Sequence, residues 1–160
     1  MLLGVVSDTH GHLRNSLDAV RMLESLDVEA VIHCGDIGST RICALFSAWP
    51  THFVFGNVDD NQAELREEIL AQEQTCHDRF GELQLAGRRI AFLHGDDQQR
   101  LREAAASESY DLVCYGHTHY ADQTYVGKTL LLNPGALYRA RPRSLAVVDL
   151  NAMTATIVPL

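Results

Sequence analysis

Asp8-Thr9-His10 sets a carboxylate and an imidazole two residues apart, directly after a short apolar run. In extended backbone, side chains at i and i+2 point the same way, whereas in a helix they do not. The two groups can therefore reach one point in space. A hard oxygen donor beside a borderline nitrogen donor is metal-binding chemistry, although a solvated turn is the commoner use of such a pair. Gly116-His117-Thr118-His119 repeats the i, i+2 spacing with two imidazoles, and Gly35-Asp36, Gly56-Asn57 and His94-Gly95 each offer one further donor beside a glycine. Glycine permits the sharp exit and close backbone approach that such a site needs. The pooled donors are Asp8, His10, Asp36, Asn57, His94, His117 and His119. They are too many for one metal ion of ordinary coordination and enough for two if Asp36, in the middle, bridges them. Turn dipeptides of this kind are individually ordinary. Their joint occurrence, each after an apolar strand-like run, is what points to a metal centre.

The elements that must position these residues follow from hydrophobic period and punctuation. Leu2–Val6 reads as a strand, and Leu13–Leu26, with apolar residues at 13, 17, 20, 23 and 26, reads as an amphipathic helix. Ala30–Cys34 is a second strand. A helix over Thr40–Ala48 is closed by Pro50, and His52–Phe55 is a third strand. Asn61 with Glu64 three residues on forms a capping-box signal for a helix through Ala71. This β-α-β-α order predicts parallel strands with crossover helices. In open sheets of that kind, sites lie at the carboxyl ends of the strands. Further on, Glu82–Leu85 and Arg88–Leu93 flank an Ala86-Gly87 turn, and a helix near Asp97–Ser107 leads to a strand at Leu112–Tyr115. Strands then follow at Thr124–Val126, Thr129–Leu132, Ser144–Leu150 and Thr154–Val158, with Gly127-Lys128 and Asn151-Ala152 as hairpin turns. Parallel strands first and antiparallel strands later predict two packed sheets with helices outside.

Length and composition narrow the function classes. The 160 residues are enough for one domain with a real core, and 46% of them are hydrophobic. A formal charge of -8 argues against strong stand-alone nucleic-acid binding. It does not exclude phosphate substrates if bound cations reverse the sign locally. No run approaches a membrane span or a signal-peptide core. Cys34, Cys43, Cys76 and Cys114 show no C-x-x-C spacing, and Cys34 and Cys114 end apolar runs as buried thiols would. A reducing, cytoplasmic compartment is the expectation. Among the other histidines, His33 reads as core or as support for the site, and His52 and His77 as surface residues.

Together the motifs resemble those of the calcineurin-like metallophosphoesterases, whose pattern is D-x-H, G-D, G-N-H-D/E, H and G-H-x-H. Here it stands as Asp8-Thr9-His10, Gly35-Asp36, Gly56-Asn57-Val58-Asp59, His94 and Gly116-His117-Thr118-His119, over about residues 1 to 120. Asn133-Pro134-Gly135 and Pro142-Arg143 resemble the small prokaryotic phosphodiesterase subgroup, which is also similar to the retromer scaffold subunit. The resemblance implies a four-layer α/β/β/α sandwich of two mixed sheets, one domain over residues 1–160 with no cap domain. It implies one divalent ion on Asp8, His10, Asp36 and His119 and a second on Asp36, Asn57, His94 and His117. Manganese is the first expectation, with iron, zinc and nickel as alternatives, because mixed N/O ligation suits them better than magnesium or calcium.

The implied activity is phosphodiester hydrolysis. Two ions roughly 3.5–4 Å apart suit in-line displacement at phosphorus, supplying a bound hydroxide and clamping phosphoryl oxygens. Asp36 and Asn57 are the implied catalytic residues. Two departures stand out. Val58 occupies the position where the family often has a histidine credited with assisting the leaving group, which predicts slower chemistry biased toward good leaving groups. Asp96 follows His94-Gly95 where relatives often carry another histidine. Arg14, Arg139, Arg141 and Arg143 are phosphate-contact candidates, with Arg143 favoured by its place in the subgroup's turn region, and His12 is a candidate substrate contact. A non-catalytic retromer-subunit-like scaffold with a residual metal pocket is the rival expectation. A Rossmann-type nucleotide binder ranks last, because no G-x-G-x-x-G lies between Gly4 and Gly11.

Overall fold

A computed structural model describes residues 1–160. Its elements run β1 (Leu2–Val6), α1 (Leu13–Ser25), β2 (Ala30–His33), α2 (Thr40–Leu45), β3 (Thr51–Phe53), α3 (Gln62–Ala71), β4 (Thr75–Cys76), β5 (Phe80–Leu85), β6 (Arg88–Leu93), α4 (Gln98–Ala106), β7 (Leu112–Cys114), β8 (Ala121–Val126), β9 (Thr129–Pro134), β10 (Ser144–Asp149) and β11 (Thr154–Pro159). They form a six-stranded sheet in the order β11-β10-β1-β2-β3-β4 and a five-stranded sheet in the order β5-β6-β7-β9-β8.

Both sheets are mixed, but not by halves of the chain. In the first, β1 to β4 are parallel, and the C-terminal hairpin β10-β11 returns to pair antiparallel beside β1. In the second, β6, β7 and β9 are parallel, with antiparallel β5 and β8 on the edges. The antiparallel strands expected late in the sequence are thus shared between the sheets. An apolar face on β10 needs burial as much as those of β1 and β2, and the slot beside β1 supplies it.

Strand alternation builds the layers. Leu3 and Val5 of β1, Ile32 of β2, Phe92 of β6, Leu112 of β7 and Leu132 of β9 pack between the sheets. Val6, Val31 and Phe53 face the other way, against Ala19, Leu23, Ile42, Leu65 and Ile69 of α1 to α3. Ala91, Leu93 and Val113 pack on Ala104 of α4. The result is α/β/β/α. Full burial of each large apolar side chain, such as Phe46, Phe53 or Phe92, contributes about 1.5–3 kcal/mol.

Three local expectations are corrected. α1 buries Ser16, Ala19, Val20 and Leu23 and leaves Leu17 39% exposed. Small residues at 16 and 19 face the sheet, and the Ser16 hydroxyl is satisfied by the His12 carbonyl at 3.1 Å. Asn61 stands at the N-cap of α3 without a side-chain capping bond, since its backbone (φ -93°, ψ 42°) departs from the extended conformation that aims a capping side chain. α2 ends at Leu45, and Phe46 and Ser47 continue as a tighter turn bonded to Cys43 and Ala44. No helix is long and apolar enough to cross a membrane. All four cysteines are free, with Cys34, Cys43 and Cys114 buried.

Candidate metal centre

Loops leaving β1, β2, β6 and β7 meet at one edge of the sandwich. Strand-like pairing carries on past β1 and β2: Asp8 N–H donates to the Gly35 carbonyl at 3.0 Å, His10 N–H to Asp36 at 2.9 Å and Gly11 N–H to Ile37 at 2.8 Å. Gly116 N–H donates to the His94 carbonyl at 2.8 Å in the second sheet. Each donor loop is therefore held by a neighbouring loop. Gly56 and Gly116 are required by close approach. A Cβ on Gly56 would stand 1.9 Å from Asp36 Oδ1, and one on Gly116 would stand 1.8 Å from Ser7 Oγ.

The backbone at Asp8 and His10 is not extended. Asp8 has φ 55° and His10 φ 45°, Asp36 has φ 54°, and His117 and His119 have φ 69° and 63°. Left-handed backbone at non-glycine residues costs roughly 1–2 kcal/mol each. Such strain concentrates at functional sites, where the surroundings over-determine it. For Asp8 and His10 the i, i+2 convergence is present, but its cause is left-handed rather than extended backbone.

Asp8 Oδ1 lies 3.2 Å from His119 Nε2 and 3.7 Å from His10 Nε2. Asp36 Oδ2 lies 3.3 Å from His94 Nε2 and 3.5 Å from His10 Nε2. Asp8, His10 and His119 make one group with the spacing of metal ligands, and Asp8, Asp36 and His94 make another. Asp8 Oδ1, His10 Nε2 and His94 Nε2 are buried without a hydrogen-bond partner. Buried polar atoms are nearly always satisfied, so three orphans facing one another fit a bound cation. His117 sits with its ring 5.1 Å from that of His94 and is exposed. Asn57 is exposed at the rim, between Gly56 and Val58.

Partners on the far side of each donor fix its orientation. His94 Nδ1 lies 2.8 Å from the Cys34 carbonyl. A carbonyl only accepts, so Nδ1 carries the proton and the neutral ring leaves Nε2 free to ligate. Asp8 Oδ2 accepts from Ser7 Oγ at 2.6 Å and from His117 N–H at 3.1 Å, leaving Oδ1 for the centre. Asp36 Oδ1 accepts from Val58 N–H at 3.1 Å, leaving Oδ2. Burial pushes both carboxyls up. The imidazoles of His10, His94 and His119 around Asp8, with the Ser7 hydroxyl, and those of His94 and His10 around Asp36, with Val58 N–H, together outweigh it, so both sit below the usual carboxylate range. His94 shifts up despite its burial, because Asp36 faces it.

Several supporting residues carried weaker sequence signals. Buried Asp59 accepts from Ile37, Gly38 and Gly56 N–H at 3.1, 2.8 and 2.8 Å, and so ties the Asp36 loop to the Asn57 loop. Its place at the end of the G-N-x-D motif was the available signal. Asn133 donates to the Gly116 carbonyl and Thr118 Oγ1 and accepts from Gly135 N–H, bracing the histidine loop. His33 is a supporting residue: its Nδ1 accepts from Gly35 N–H, so its Nε2 donates to Thr9 Oγ1 at 3.0 Å. Burial pulls its pKa down to about 4.

Other sites fall elsewhere. His12 is the exposed N-cap of α1, stacked on Tyr138 at 5.4 Å, and Tyr138 also touches His10. Arg143 is paired with Asp18 of α1 at 3.4 Å. Asp96 is paired with Arg79. His52 and His77 are half-buried against Phe92, not surface residues, because each satisfies the other across 3.0 Å.

The calcineurin-like phosphoesterase superfamily domain matches residues 1–153. The chain belongs to that superfamily. A phosphodiesterase of Methanocaldococcus jannaschii is 34% identical over 138 residues, spanning 84% of this chain and 83% of the relative. A probable metallophosphoesterase of Bacillus subtilis is 30% identical over 163 residues, spanning 96% and 86%. Among solved structures, an archaeal phosphodiesterase superposes with a TM-score of 0.93 at 30% identity, covering all of both chains. Vacuolar protein sorting 29 of Cryptosporidium parvum shares the fold, with a TM-score of 0.63 at 16% identity over 99% of this chain and 96% of that one. The calcineurin-like fold thus accounts for the two sheets and for the edge at which the donor loops gather.

Proposed function

We propose that this calcineurin-like chain is a cytoplasmic, metal-dependent phosphodiesterase, a single domain over residues 1–160 with no cap. The observation that carries the reading is the trio of buried, unpartnered ligand atoms on Asp8, His10 and His94. A scaffold would gain nothing from leaving them unsatisfied, whereas an enzyme needs them free. The relatives named as phosphodiesterases support a diester as the substrate.

Asp8, His10, Asp36 and His119 would hold one divalent ion, and Asp36, Asn57, His94 and His117 a second, with Asp36 common to both. Mixed nitrogen and oxygen donors favour manganese, then iron, zinc or nickel. Bound there, such ions supply Lewis acidity and an activated water for in-line displacement at phosphorus. The chain's own residues do the rest. Asp36 is held by Val58 N–H, which leaves its Oδ2 facing His10 and His94, where it would be shared between the ions. The Cys34 carbonyl holds His94 in its ligating tautomer. Asn57 presents an amide at the rim. Val58, 45% exposed, has no proton to give a leaving group, so activated aryl esters should turn over fastest.

The test is hydrolysis of bis-p-nitrophenyl phosphate by metal-stripped protein with manganese, nickel, zinc or no metal added, wild type beside Asp36→Ala. Metal-dependent turnover that Asp36→Ala abolishes is the expected result. Folded protein that binds two ions and turns over nothing would overturn the proposal and favour the scaffold.

A further inference from the structure

A groove of about 1020 Å³ opens from the centre on the side of His117 and His119. It slightly exceeds the roughly 300–1,000 Å³ typical of small-molecule sites, and a lone phosphate would leave most of it empty. Its walls include Tyr120, Arg139, Arg141 and Pro142. No aspartate or glutamate lines it, although the chain carries a formal charge of -8. Neighbouring Arg143 is paired with Asp18, whereas Arg139 and Arg141 line the groove with no carboxylate partner. Tyr120 is 80% exposed at the rim. His119 Nδ1 donates to the Arg139 carbonyl at 3.5 Å, so the arginine segment is joined directly to a residue of the centre. Arg139 itself holds a left-handed backbone with φ 52° and lies over the Tyr138 ring at 5.2 Å.

An open, acid-free groove with two free guanidinium groups and an exposed aromatic ring has the recognition chemistry of a nucleotide. Resting on the esterase reading above, we propose that the substrate is a short linear dinucleotide with a 5′ phosphate. The scissile diester lies at the centre, the 5′ phosphate on Arg139 and Arg141, and a base against Tyr120. A cyclic mononucleotide has one phosphate and would leave the arginine pair unused. A long polyanion would meet the acidic remainder of the surface. Hydrolysis forms one P–O bond from water and breaks the bond to the leaving ribose oxygen. That oxygen takes up the proton from water, giving a mononucleotide and a second nucleotide unit.

The experiment compares a dinucleotide with and without its 5′ phosphate against bis-p-nitrophenyl phosphate. It uses metal-loaded wild type, the double variant Arg139→Ala/Arg141→Ala, Tyr120→Ala, and Tyr125→Ala as a control from an exposed tyrosine outside the groove. Calorimetric titration of the phosphorylated dinucleotide into metal-stripped protein reads binding without turnover. The expected result is a wild-type preference for the phosphorylated dinucleotide that the double variant erases. The double variant should also weaken calorimetric binding by about ten-fold or more, Tyr120→Ala should weaken binding of both dinucleotides, and Tyr125→Ala should match wild type. Equal kcat/KM for the two dinucleotides in wild type, or equal losses on all three substrates in the double variant, would overturn the proposal. Binding that depends on the arginines without turnover of any substrate would keep the groove and overturn the esterase. Turnover of the aryl diester alone, with no dinucleotide binding, would keep the esterase and overturn the groove.

Discussion

His94, just past the end of β6, and His52, in the middle of β3, are imidazoles on one fold, yet their surroundings give them opposite chemistry. His94 faces Asp36 at 3.3 Å, donates from Nδ1 to a carbonyl, and keeps an unpartnered Nε2. Its pKa shifts up because the nearby carboxylate outweighs burial. His52 bonds His77 instead, and both rings pack on Phe92. Burial, with the His77 charge adding to it, takes the pKa of His52 down to about 4. Asp78, whose charge works on His77, is itself paired with Arg66. A carboxylate and an orphaned nitrogen make an imidazole available to a cation. Mutual satisfaction makes it structural.

The largest expected effect tests that contrast directly. His94→Ala should reduce metal-dependent turnover of bis-p-nitrophenyl phosphate to background, while His77→Phe should keep wild-type turnover and whatever metal stoichiometry the wild type has. Loss of metal binding in His77→Phe would break the distinction. Next, Asp59→Ala strands three backbone N–H donors inside the centre's framework. It should cost on the order of 3–5 kcal/mol in urea unfolding and lower metal affinity by about 10–100-fold. Unchanged affinity in a folded variant would show that the two loops hold position without it.

The third effect is a pH dependence of the paired region. His52 has a folded pKa of about 4 against 6.5 unfolded, so the unfolded chain binds more protons between those values. Stability then rises with pH across that window and is lost as pH falls through it. After allowance for partial exposure the loss at His52 is about 2 kcal/mol. Asp8 and Asp36 act in a lower window, since their depressed values lose stability only below 3.8. His94, with its raised value, acts in the opposite sense above 6.5. The difference in unfolding free energy between wild type and His52→Phe should therefore change between pH 4 and 6.5 and be flat above it. A difference that is flat throughout would place His52 in solvent. The smallest effect is Ser7→Ala, which removes the 2.6 Å bond to Asp8 Oδ2 and should reduce turnover about ten-fold with little change in the urea midpoint. An equal loss of stability would make Ser7 structural alone.

The sequence reads clearly where chemistry is local. Leu2–Val6, the Ala86-Gly87 turn and the helix after Asp97 each declare themselves through period and punctuation, and the structure has them within a residue or two. Two-residue β4 escapes notice because so short a strand has no period of its own. Asp59 and Asn133 were visible as motif and turn residues, but their bonds reach Ile37 and Gly116, distant along the chain. No spacing rule encodes such bonds.

By itself, the sequence determined the order of elements and the supply of donors at strand ends, because backbone propensity and side-chain type act over a few residues. Tertiary structure alone decided which donors came together. It bent Asp8, His10 and Asp36 into left-handed backbone, set the His94 tautomer with a carbonyl from the other sheet, and satisfied His33 and His52 with partners of their own. The physical reason is that hydrogen-bond satisfaction and local dielectric depend on neighbours brought together only by packing.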